Sequence, residues 1–171
     1  MVEQAGSTFT PSFIANPASL TGSRIGTLAG HHEIDAFAGF AGNDLYVVDP
    51  VAGAMTRVDW TGGASVTKSA HAMDAHGEHF LILDSSGKLH LLDPADGWKT
   101  VDTVQALTAV SGTPTMVVSQ ADETAFITDN ANQAIVVVDL ETLSTRSIPL
   151  GFIPTGLAWV GIAGAHDDHA H

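Results

Sequence analysis

Nine histidines stand in a chain with only six Lys and Arg residues together, and they are grouped rather than spread. The groups are His31-His32, then His71 with His76 and His79, then His90, and a tail reading Ala165-His-Asp-Asp-His-Ala-His171. Neutral imidazole is the commonest protein ligand for zinc and related ions, and Asp or Glu oxygens complete such sites where thiolates are absent. The chain has no cysteine, which excludes disulfides and thiolate sites and is neutral about compartment. Coordination of Zn²⁺ is therefore the chemistry these residues could do. The candidate ligands are His31, His32, His71, His76, His79, His166, His169 and His171. Unlike a helical H-E-x-x-H, the H-x4-H-x2-H spacing from His71 to His79 lies across a hairpin, where strand geometry does not force its members together. Each group also has a structural account. His31-His32 can be a polar turn, His79 a half-exposed strand position, and the tail a solvated end. His90, alternating with Leu89 and Leu91, reads as a surface residue.

The elements that must position these residues are written as a repeat. Asp44-Leu-Tyr-Val-Val-Asp49, Lys88-Leu-His-Leu-Leu-Asp93 and Ala134-Ile-Val-Val-Val-Asp139 are short apolar strands running into an Asp and a turn, with the terminal Asp residues 44 and 46 positions apart. Phe37 to Asp49 lies without gaps over Leu81 to Asp93, and Phe126 to Asp139 matches after one extra turn residue. Outer strands follow at Met55 to Trp60, Trp98 to Val104 and Ser144 to Leu150. Inner strands precede at Arg24 to Ala29, Ala70 to Ala75 and Thr115 to Gln120. Four short strands in a period of about 45 residues are the pattern of a β-propeller blade. The fold class is all-β, with four-stranded antiparallel blades; helical spacing is confined to a short stretch at Asp102 to Val110. Blade boundaries fall near Trp60 to Ser65 and Leu107 to Gly112.

Phe152 to Val160 reads as the start of a fourth blade, and Ser7 to Ile14 supplies one strand before the first, giving about three and a half blades. Residues 1–164 form the propeller and 165–171 a flexible tail rich in His and Asp. Propellers close with roughly four to eight blades, and closure removes exposed strand edges. Three arrangements satisfy this: the chain is the C-terminal part of a longer propeller, two copies complete one ring as a homodimer, or the terminal strands join in one blade. In this alignment His32 falls on His76, both in the turn between the first two strands of a blade. His31, His32, His76 and His79, with Glu33 and Glu78, would then share one rim, to which the third blade contributes Asp122 and Glu123. His71 lies on an innermost strand.

A formal charge of −13 argues against nucleic acid or an anionic membrane surface as partner and favours cations. No apolar run is long enough to span a bilayer. Met1-Val-Glu-Gln-Ala-Gly is not a signal peptide, so export would require a signal removed or lying upstream. The Asp residues that end strands, Asp49, Asp84, Asp93, Asp129 and Asp139, recur at equivalent positions, as residues that serve turns do. No G-x-S-x-G elbow, phosphate-binding loop or H-E-x-x-H occurs, so the chain is not expected to be an enzyme.

Thr124-Ala-Phe-Ile-Thr-Asp-Asn-Ala-Asn-Gln-Ala-Ile-Val-Val-Val-Asp-Leu-Glu-Thr-Leu143 and Phe152-Ile-Pro-Thr-Gly156 resemble the repeats of the YVTN and lactonase-like propellers, a likeness that covers most of Ala70 to Val160. The acidic, cysteine-free chain with Gly30-His-His-Glu-Ile-Asp35 and a His-rich segment further resembles the C-terminal part of the AztD-type periplasmic zinc metallochaperones. That resemblance implies a periplasmic protein that captures zinc on neutral His and nearby carboxylates and passes it to the solute-binding protein of an ABC importer, the tail loading the site or handing the ion on. A non-catalytic interaction propeller is the second expectation. A lactonase-like enzyme is the third, since its residues would have to come from blades beyond this sequence.

Overall fold

The computed structural model describes residues 2–5, 8–11, 13–20, 22–119 and 121–160. The chain divides into two compact units, Met1–Gly62 and Gly63–His171. Every sheet among the described residues is antiparallel and joins strands that follow one another in sequence. The first unit holds a hairpin, β1 (Val2–Ala5) with β2 (Thr8–Pro11), and the sheet β3 (Ala29–Gly30), β4 (Phe37–Ala41), β5 (Asp44–Asp49) and β6 (Ala54–Val58). The second holds two more four-stranded sheets. One is β7 (Lys68–Met73), β8 (Phe80–Asp84), β9 (Lys88–Asp93) and β10 (Lys99–Gln105). The other is β11 (Met116–Val118), β12 (Thr124–Asp129), β13 (Ala134–Asp139) and β14 (Thr145–Pro149). These are propeller blades, and the blade boundaries fall where the repeat places them.

Alternation of apolar residues builds the core of the second unit. Leu81, Leu83, Leu89 and Leu91 of one blade and Ala125, Ile127, Val136 and Val138 of the next form one buried cluster, so each sheet hides its apolar face on its neighbour. The opposite face of the first of these blades carries Phe80, whose ring meets Trp98 edge to face with centroids 5.8 Å apart. The recurrent Asp residues serve the turns as expected. Asp49, Asp93 and Asp139 accept backbone N–H groups from Ala52, Ala95 and Thr142 at 2.7, 2.7 and 2.8 Å.

Four expectations are corrected. Strand pairing aligns Phe37 with Phe80, because Phe37 faces Val48 and Phe80 faces Leu92; the repeat is therefore not gapless, and the extra residue sits in the turn after Asp84. Asp102 to Val110 is not helical: β10 runs through Gln105, after which the N–H groups of Ala106 and Leu107 donate to the Gly87 carbonyl. The N-terminal segment supplies two paired strands rather than one. Residues 152–160 contain no strand, and Trp159 stacks on Phe126 at 5.9 Å.

Candidate metal centre

In all three blades the turn between the first two strands is six residues long, bounded by the pairs Gly30 with Phe37, Met73 with Phe80, and Val118 with Ala125. This register places His31, Asp74 and Ser119 at the first turn position, and Asp35, Glu78 and Glu123 at the fifth. His32 is thus equivalent to Ala75, not to His76, and the third position holds Glu33 in one blade and His76 in the next.

The turn of the middle blade is closed by Asp74. Its N–H donates to the His79 carbonyl at 3.0 Å, and its Oδ2 accepts the His79 N–H at 2.6 Å. Gly77 supplies the left-handed backbone the reversal needs, at φ 75°. The same Oδ2 lies 3.2 Å from His79 Nδ1. Oδ1 of Asp74 has no hydrogen-bond partner among the described residues, although the side chain is 0% exposed. A bare, buried carboxylate oxygen is costly unless a proton or cation meets it.

Glu123 comes to this group from the turn of the third blade. Asp74, His79 and Glu123 each offer one ligand atom, and these atoms lie within 4.8 Å of one another. Oε1 of Glu123 is likewise buried without a hydrogen bond among the described residues. Burial, the Asp74 charge and that of Glu78 push the Glu123 carboxyl above its ordinary range, and His76 and His79 only partly offset them. The donors, two carboxylates and an imidazole, suit a divalent first-row ion, with zinc prominent among them. Tetrahedral zinc holds ligand atoms roughly 3.3 Å apart, so loading would draw the group together.

Of the histidines proposed from sequence, His79 belongs to this group, and His76 stands beside it, outside the set of mutually close ligand atoms. His76 Nε2 is 3.3 Å from Glu123 Oε1. His71 lies on β7 opposite Ile82, its ring 5.7 Å from that of Phe80, and does not belong to the group. His31 and His32 lie in the first unit with ring centroids 4.1 Å apart. His31 Nδ1 accepts the Glu33 N–H at 3.3 Å, and His32 Nε2 is 4.0 Å from a largely exposed Glu33 carboxylate. With Ile34, Asp35, Phe37 and Pro50 they line an open cavity of about 360 Å³. His166, His169 and His171 lie outside the described residues. His90 is not a surface residue: it is 9% exposed, and its Nε2 lies 2.9 Å from Asp84 Oδ2.

Asp74 is the member that sequence reasoning missed, while Glu123 was foreseen as a rim residue without being named a ligand. The available signal was the run Asp74-Ala-His76-Gly-Glu-His79, which places a carboxylate at the start of the His-bearing turn.

No family model matches the chain, and no curated protein matches it in sequence. Solved structures do match. Apo AztD from Citrobacter koseri is similar over 90% of this chain and 42% of its own, with 17% identity and a TM-score of 0.72. The WD40 repeats of RRP9 match 75% of this chain and 39% of theirs, at 12% identity and a TM-score of 0.60. Kuenenia stuttgartiensis hydrazine synthase matches over 75% and 37%, at 17% identity and 0.58. The chain is a β-propeller in fold. It spans less than half the length of these structures. No helix among the described residues is long and apolar enough to cross a membrane.

Proposed function

We propose that this propeller segment binds zinc as cargo at Asp74, His79 and Glu123 and passes it to an acceptor, as a metallochaperone does. One observation carries the reading: two buried carboxylate oxygens, Asp74 Oδ1 and Glu123 Oε1, find no hydrogen bond among the described residues beside a half-buried imidazole. The fold likeness to apo AztD supports it, and so does the net charge of −13, which concentrates cations near the surface. The acceptor we propose is the solute-binding protein of a zinc importer, in the periplasm. The protein carries the ion without catalysing a reaction. The tail histidines His166, His169 and His171 form a second, weaker class of ligand that collects zinc for the folded centre.

Calorimetric zinc titration of the intact chain, of one ending at Gly164, and of His79→Ala and Glu123→Gln variants tests this. The shortened chain should keep one tight site and lose the weaker class. Either substitution should remove the tight site. Binding that disappears with the tail alone would contradict a folded centre, and no binding at micromolar protein would leave an interaction propeller as the account.

A further inference from the structure

We propose that His76 is the fourth ligand of the Asp74–His79–Glu123 centre and the one through which the metal is exchanged, an inference that rests on that centre binding metal. Its Nε2 stands 3.3 Å from Glu123 Oε1, yet that oxygen makes no hydrogen bond among the described residues. A separation of roughly 3.3 Å is the spacing of two ligand atoms around tetrahedral zinc, so the two atoms are already placed to share an ion. The centre then has two nitrogens and two oxygens, contributed by the turns of two consecutive blades.

Exposure across the four side chains is graded: 0% for Asp74, 16% for Glu123, 27% for His79 and 58% for His76. Asp74 is further fixed by its bonds to His79, which hold its carboxylate in one orientation. His76 makes no such backbone tie among the described residues; its neighbour Gly77 is in the left-handed region, and the His76 side chain is 58% exposed. His76 is the most exposed of the four, so an incoming donor meets the ion most readily where His76 stands. Exchange becomes a substitution in which the His76 Nε2 bond breaks first and an imidazole or carboxylate of the acceptor then forms its bond to the metal at the vacated position. Asp74, Glu123 and His79 hold the ion until the acceptor has engaged it.

The test uses the 171-residue chain with His166, His169 and His171 changed to Ala, so that the folded centre reports, and Co²⁺ as spectroscopic probe. One equivalent of Co²⁺ should give the intense visible bands of four-coordinate cobalt. His76→Ala should lower them severalfold as water enters the coordination sphere. Zinc affinity should fall about tenfold or more. Release to excess chelator should quicken and become proportional to chelator concentration, whereas in the parent it levels off at the rate of His76 departure. Unchanged bands and release kinetics in His76→Ala, in a parent whose binding is lost on His79→Ala, would overturn the role of His76. A parent that binds neither ion would overturn the metal centre itself.

Discussion

His76 Nε2 and Glu123 Oε1 meet at 3.3 Å although they belong to the inner turns of two different blades. An ion held by both turns ties β7–β8 to β11–β12 in the folded state and has no such site in the unfolded chain. Zinc at one hundred times its dissociation constant should therefore stabilise the protein by about 2.7 kcal/mol. Thermal unfolding followed with and without zinc should show a rise in Tm for the parent. The same comparison on Glu123→Gln should show none.

Without metal, the Glu123 carboxyl has the opposite effect. Its pKa is raised by burial and by the neighbouring Asp74 charge, so the stability it contributes is fully present at pH values below the ordinary carboxylate range and is lost as pH rises through its folded value. Metal-free Glu123→Gln should thus melt higher than the metal-free parent at pH 7. The difference should vanish near pH 4. Equal melting temperatures at both pH values would mean that the carboxylate is not strained by its surroundings.

Asp84 behaves in the reverse sense. Burial alone would raise its pKa, but hydrogen bonds from His90, from the Ser86 hydroxyl and N–H, and from the Lys88 N–H bring it below the ordinary range. Its contribution is present above the unfolded value and lost as pH falls through the folded one. Asp84→Asn should cost about 1–3 kcal/mol at pH 7 in urea denaturation. It should also flatten the fall in stability on the acid side.

Gly87 sits in the same turn with φ 84°, and a Cβ there would overlap the carbonyl of Leu107, whose carbon would lie 2.9 Å away. Because the Gly87 carbonyl also accepts the N–H groups of Ala106 and Leu107, the turn cannot swing aside without breaking the end of β10. Gly87→Ala should destabilise the fold by about 1–3 kcal/mol from backbone strain alone, read as a lowered urea midpoint.

The blades were legible because period-2 apolar alternation and a turn Asp recur at a nearly fixed interval, and both features are local. The one-residue insertion after Asp84 was not legible: turn length changes without altering the apolar pattern, and it moved the alignment of His32 from His76 to Ala75. His90 was misjudged because alternation marks it as facing away from Leu89 and Leu91, whereas that face of the blade is buried as well. Of the centre, the clustering of His76 and His79 was visible. Its carboxylates were not assigned, because Glu123 arrives through packing of one blade on the next, and Asp74 looks in sequence like any residue opening a turn.

The proposed centre holds one zinc ion among Asp74, His79 and Glu123. Anomalous diffraction at the zinc absorption edge, on crystals of the zinc-loaded chain, tests it most directly. The expected result is an anomalous peak bonded to all three side chains at about 2.0–2.2 Å, with His76 Nε2 as fourth ligand. A zinc-loaded crystal whose anomalous density lies elsewhere, with none between Asp74 and Glu123, would contradict it.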